Sequence, residues 1–145
     1  MTTKDVGDAG EAQALAHLRG QGLALVERNY RVARGPNARG GEVDLILREP
    51  DGTLVFVEVR TRRGASHGGG PSSRTAFGDS PSSRTAFGGA AASVGAAKQR
   101  RLVLAAQHYL SRFKTLPACR FDVVTVEGQG AQMRIEWFRA AFDTS

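Results

Sequence analysis

Two apolar runs separated by a short turn constrain this chain more than anything else in it. Glu42 to Arg48 and Leu54 to Thr61 are dense in Val, Leu, Ile and Phe, and Pro50-Asp51-Gly52 lies between them. Branched and aromatic runs of this length, bounded by turn formers, predict the two strands of a hairpin. A turn centred on Asp51 sets Asp44 opposite Glu58 and Glu42 opposite Arg60. Residues that face one another across an antiparallel pair point to the same side, with Cβ atoms roughly 4.5–5.5 Å apart. On the second strand Leu54, Phe56, Glu58 and Arg60 share one face, and Val55, Val57 and Val59 share the other. Two carboxylates therefore meet inside an otherwise apolar hairpin. Like charges that close repel unless a cation lies between them, and hard oxygen donors on neighbouring strands suit Mg²⁺ or Mn²⁺. The plainer reading pairs Glu58 with an arginine that holds the sheet in register.

The flanking segments supply the other elements. From Asp5 to Arg19, Ala12, Leu15, Ala16 and Leu18 recur at helical spacing, and Gly20-Gln21-Gly22 ends the run. Leu23 to Val32 reads as a strand, and 34–41 as a loop rich in Gly, Pro and Asn. Residues 64–95 hold 8 Gly, 7 Ser and 6 Ala, and Pro71 to Gly78 is repeated identically at Pro81 to Gly88. Such composition does not offset its ordering entropy, which predicts a flexible surface insertion. Beyond it Leu102, Ala105, Ala106, Tyr109, Leu110 and Phe113 mark an amphipathic helix, with Lys98, Arg101 and Gln107 outside its apolar stripe. Pro117 ends that segment. Phe121 to Val126 and Met133 to Phe138 are two further strands around Gly128-Gln129-Gly130. The order α-β-β-β-α-β-β predicts one α/β domain, a mixed sheet with helices packed on it.

Charge narrows the partner. The 145 residues carry a net charge of +6, and between residues 60 and 101 eight basic side chains face a single acid, Asp79. A local excess of this kind suits phosphate backbones or anionic surfaces; a solvated basic linker has the same composition. No apolar stretch approaches the ~20 residues that cross a bilayer. Met1-Thr2-Thr3-Lys4-Asp5 is not a basic region followed by an apolar run, so no secretory leader is expected, and the expected location is cytoplasmic. The one cysteine, Cys119, excludes an internal disulfide and a cysteine-based zinc site and is expected to be a buried thiol. His17, His67 and His108 have no metal-ligand spacing, and His17 and His108 are expected at exposed helix positions. Trp137 is expected to pack on a sheet face or in the core.

Glu11 is a third acid of interest. It shares a helical stripe with Leu15 and Leu18, which turns it toward the sheet. Asp8 and Glu11 also have the spacing of a capping box, a purely structural alternative.

Several motifs in fixed order carry a family resemblance: Gly10-Glu11-Ala12, Glu27-Arg28-Asn29-Tyr30-Arg31, Gly41-Glu42-Val43-Asp44-Leu45-Ile46 and Val55-Phe56-Val57-Glu58-Val59-Arg60. Lys98-Gln99-Arg100-Arg101-Leu102, Tyr109-Leu110 and Arg120-Phe121-Asp122-Val123-Val124 complete the set. Over about residues 7 to 142, apart from the Gly/Ser-rich repeat, the chain resembles the YraN family, also called UPF0102, which is similar to archaeal Holliday-junction resolvases and restriction-endonuclease-like nucleases. The resemblance implies a restriction-endonuclease-like α-β-β-β-α-β core. It also implies a phosphodiester-hydrolysing site with Glu11 as the helix acid, Asp44 and Glu58 as Mg²⁺ or Mn²⁺ ligands, and the Val59 carbonyl as a further ligand. Arg60 stands where such nucleases place lysine; a guanidinium stays protonated and does not serve as a base, though it can stabilise charge on the phosphorane. Lys98 is a candidate for the missing amine. Arg62, Arg63, Lys98, Arg100 and Arg101 would grip flanking phosphates without reading sequence. The expected partner is DNA of particular structure, with no membrane association, and a homodimer would suit a symmetric junction. Two alternatives stand beside the nuclease: a non-catalytic nucleic-acid-binding module of the same fold, and an adaptor whose basic loop binds an acidic protein.

Overall fold

The hairpin forms at the register its turn dictates. In the computed structural model, which describes residues 3–33, 40–62, 94–128 and 130–142, Leu45 pairs with Val57, Ile46 with Phe56, Leu47 with Val55 and Arg48 with Leu54. The turn is closed by Gly52 N–H donating to the Glu49 carbonyl at 2.8 Å and Thr53 N–H to Asp51 Oδ1 at 2.9 Å. Gly52 has φ +97, which side chains other than glycine's rarely permit.

Around this pair the described elements run α1 (Thr3–Gly20), β1 (Ala24–Val32), β2 (Gly41–Arg48), β3 (Leu54–Arg62), α2 (Ala96–Leu110), β4 (Cys119–Glu127), a 3₁₀ turn (Gly130–Gln132) and β5 (Arg134–Phe142). The five strands form one sheet in the order β1-β2-β3-β4-β5. Neighbours are antiparallel except β3 and β4, which are parallel and joined through α2. This is the expected mixed α/β fold.

A helix covers each face. Ala14, Leu15 and Leu18 of α1 pack with Leu45, Leu47, Val55, Val57, Val124 and Val126. On the other face Leu102, Ala105, Ala106 and Tyr109 of α2 pack with Val43, Ile46, Leu54, Phe56 and Phe121. The alternation Leu54/Phe56 against Val55/Val57 assigned to β3 is thus the division between the two helices.

Some expectations move. α1 begins at Thr3, so Asp8 and Glu11 lie inside the helix and no capping box forms there. α2 stops at Leu110, with Ser111 as its C-cap, short of Phe113. Strands β4 and β5 are longer than the sequence suggested, and β5 continues past an irregularity between Phe121 and Val123. There Asp122, fully buried, accepts hydrogen bonds from Arg120 Nε at 3.0 Å, Trp137 Nε1 at 2.8 Å and Ala140 N–H at 2.9 Å. Ala140 has φ 49, so the carboxylate caps a strained bulge. Trp137 packs on the α1 side, with His17 edge-on and Arg139 over its ring at 4.1 Å. Cys119 is exposed, because it opens β4 at the end of a surface loop, which corrects the buried thiol. His67, Arg63 and the 64–95 insertion, apart from Val94 and Gly95, lie outside the described residues. Among the described residues, no helix is long and apolar enough to cross a membrane.

Candidate active site

The β2–β3 ladder ends where the acids begin. Its last pair is Leu45 with Val57, and beyond it Asp44 Oδ2 accepts the Val59 N–H at 2.8 Å. A side chain thus takes a hydrogen bond that a backbone carbonyl would take in a continuing ladder. Glu58, one residue back on β3, is only 2% exposed and is hydrogen-bonded to Asp44. Asp44 and Glu58 therefore meet as the hairpin register requires. Glu42 does not come opposite Arg60: with the ladder ended, it turns toward α2.

Two close approaches bring the helices to this spot. A β-carbon at Gly41 would lie 2.6 Å from the Arg101 carbonyl oxygen and from the Ala105 nitrogen, so only glycine lets β2 lie against the backbone of α2. A β-carbon at Gly10 would collide with the Thr61 side chain, which seats α1 on β3 beside Glu11. From α2, Lys98 Nζ reaches Glu58 Oε2 at 3.3 Å and Glu42 Oε2 at 3.8 Å. Arg101 Nη2 reaches Glu42 Oε1 at 3.2 Å. From the α1 side, Glu11 faces Arg28, whose Nη2 is 3.9 Å from Oε1.

Burial sets the electrostatics. It pushes the Glu58 pKa up to about 8, with the Asp44 charge adding to the rise and Lys98 opposing it. Asp44 is raised by burial as well, against the Val59 N–H and Lys98. Burial and the neighbouring carboxylate thus both oppose full ionisation of the pair. Glu11 is raised by burial and by Asp44, while Arg28 and a hydrogen bond from the Asn29 side chain lower it. Glu58 Oε1 is buried without a hydrogen-bond partner among the described residues. A buried carboxylate with a free oxygen, beside a second carboxylate, is a donor set for a hard divalent cation. Among the described residues, no three His, Cys, Asp or Glu side chains form a ready-made metal cluster. In this arrangement the Lys98 ammonium supplies the positive charge.

The site gathers Glu11, Asp44, Glu58 and Lys98 from four elements. Val59 takes part through its N–H; its carbonyl points to the same edge, since both groups of one strand residue face one neighbour. Arg60 is half-buried, pairs through its backbone with Thr125, and has no ion pair among the described residues. Arg101 faces inward to Glu42, whereas Arg100 is exposed beside a shallow cleft formed with Gly40, Ala97 and Leu104. Arg62 is exposed, 4.0 Å from Glu127. Sequence reasoning missed Glu42 as the partner of both α2 cations. It also missed Arg28 and Asn29 as neighbours of Glu11; the signal was their place within one compact motif with Tyr30.

Comparison with known proteins matches this frame. The description "uncharacterised protein family UPF0102" fits residues 10–78 and 80–126. A UPF0102 protein of Methylibium petroleiphilum is 56% identical over 145 residues, covering 100% of this chain and 99% of its own. One from Acidovorax sp. is 54% identical over 144 residues, 99% of this chain and 89% of its own. One from Cupriavidus taiwanensis is 50% identical over 137 residues, 94% and 82% of the two chains. With agreement of this extent across both helices and the acid-bearing hairpin, the chain belongs to the UPF0102 family.

Proposed function

We propose that this protein is a metal-dependent endonuclease that hydrolyses phosphodiester bonds in structured DNA. The observation that carries the reading is Glu58 Oε1, buried next to Asp44 with no hydrogen-bond partner among the described residues. Burying two carboxylates beside a single ammonium, that of Lys98, leaves the pair short of positive charge, and a strand-borne acid pair is a poor structural choice unless it holds something. Asp44 and Glu58 would hold a divalent cation, with the Val59 carbonyl on the same edge. When bound, such an ion lowers the pKa of a water and polarises a phosphoryl oxygen.

The chain's own residues do the rest. Lys98 places an ammonium against Glu58, the position from which it can hold a water or neutralise a phosphate. Arg60, free of ion pairs among the described residues, adds fixed positive charge on the same strand. Glu11, oriented by Arg28, approaches from the α1 side. Arg62 and Arg100 are exposed and available to flanking phosphates; Arg101, held by Glu42, positions Lys98's neighbour more than it grips DNA. The chain carries no base-reading motif, which favours recognition of DNA shape.

A second reading has one observation in its favour. Arg60 occupies the strand position where a lysine amine is usual for this chemistry, so the protein could bind nucleic acid without cutting it. Cleavage of labelled single-strand, duplex, flap and four-way-junction DNA in Mg²⁺ or Mn²⁺ separates the two. Cutting that EDTA, Asp44→Ala and Glu58→Ala each abolish is the expected result. Salt-dependent binding with no cutting, and cutting gained by Arg60→Lys, would establish the binding module. Absence of binding would refute both.

A further inference from the structure

The motif Glu27-Arg28-Asn29-Tyr30-Arg31 has its chemistry at its centre. Asn29 has φ 50 in the middle of β1. Left-handed backbone is uncommon for a residue with a side chain, and asparagine is among the few that tolerate it. Strained residues of this sort persist where the surroundings demand them.

The demand is visible in the strand pairing. On one side of Asn29, Arg28 lies opposite Leu45, whose side chain packs under α1. On the other, Tyr30 lies opposite Val43, and both pack against α2. Residues two apart on a regular strand share a face. Here they lie on opposite faces, in β2 as well as β1, and the residues at the step between the two pairs are Asn29 on β1 and Asp44 on β2. The Asp44 side chain is turned out of both apolar faces into the line of the ladder, where it takes the Val59 N–H at 2.8 Å.

We propose that Asn29 is the positioning residue of the acid site: its left-handed backbone rotates β2 so that Asp44 reaches the edge of β3, and its side chain tethers Glu11 next to Arg28. The backbone half explains why Asp44 leaves the face that Ile46 occupies. The side-chain half explains how an acid on α1 is held at a sheet edge. Only the effect on cleavage rests on the nuclease reading.

Two substitutions in the full chain separate the halves. Asn29→Thr forbids the left-handed backbone; Asn29→Gly keeps it and removes the amide. Amide hydrogen exchange by NMR reads the placement of Asp44 without metal or DNA. In Asn29→Thr the Val59 N–H should exchange at least roughly tenfold faster, while Val57, paired with Leu45, is unchanged. In Asn29→Gly, Val59 should stay protected. Cleavage of junction DNA in Mg²⁺ should then fall roughly tenfold, with a melting temperature within about 2 °C of wild type. Unchanged Val59 exchange in Asn29→Thr would overturn the proposal. So would equal loss of protection at Val57 and Val59, which marks an ordinary strand residue. If Asn29→Thr does not fold, Asn29→Ala is read in the same way. A wild-type protein that cuts no DNA would sink the nuclease reading and leave the Val59 exchange to decide this one.

Discussion

Lys98 Nζ lies 3.3 Å from Glu58 Oε2, so a side chain from the first turn of α2 reaches a carboxylate sealed within the sheet. The contact ties the helix to the acid pair by charge. Lys98→Met leaves Glu58 without its cation, and the variant should lose about 1–2 kcal/mol at pH 8 but less at pH 6, where Glu58 is protonated. Urea unfolding at the two pH values measures this. An equal loss at both would mean that Lys98 acts through packing. On the nuclease reading, Lys98→Met also lowers cleavage about 10²-fold or more, and Lys98→Arg restores part of it.

Glu58 gives the fold a particular pH dependence. Its pKa rises from the usual 4.5 to about 8 on folding. Between those values the folded state holds a proton that the unfolded state has released, so stability falls as pH rises from about 5 to 8. Glu58→Gln should remove most of that slope and exceed wild type in stability at pH 8 by an amount on the order of a few kcal/mol. Melting curves across this range provide the check; a wild-type slope that survives in Glu58→Gln would assign it elsewhere. Mg²⁺ should stabilise wild type at pH 8 and leave Glu58→Gln nearly unmoved.

Gly41→Ala tests whether the site depends on contact between β2 and α2. The added carbon meets backbone atoms of Arg101 and Ala105 at 2.6 Å, and backbone yields little. A loss of about 1–3 kcal/mol is expected, together with weaker Lys98 engagement. If thermal unfolding shows no change, the helix has moved away without cost.

The hairpin was readable because its turn leaves little choice: Pro50-Asp51-Gly52 fixes the register, and the register fixes Asp44 against Glu58. The mixed sheet with helices packed on it followed from the element order; that one helix lies on each face is seen in the packing. Lys98 and Arg101 were not readable from helical periodicity, which put them outside the apolar stripe. Long side chains at a helix end bend sideways to a charge lying beyond the core. Asn29 escaped notice because strand patterning assumes regular backbone, and its left-handed φ breaks that assumption. The role of Asp122 was not legible, because its partners, Trp137 and Ala140, are remote in sequence.

Asp122 should matter to folding more than to chemistry. Asp122→Ala strands the donors of Arg120, Trp137 and Ala140, a loss of about 3–5 kcal/mol by chemical denaturation. A loss under 1 kcal/mol would show that water replaces the carboxylate. At the adjacent strained position, Ala140→Gly should add about 0.5–1 kcal/mol, since φ 49 suits glycine better.

The two border strands share a feature whose meaning lies outside the site. β1 carries a left-handed residue at Asn29 and β5 one at Ala140, and these are the strands that end the sheet. An intact border offers a row of unpaired N–H and C=O groups on which a passing chain can assemble a further strand, the first step toward fibrils. A left-handed residue interrupts that row and turns the border out of plane. Among the described residues both margins of the sheet thus carry an interruption that makes them poorer templates for a further strand.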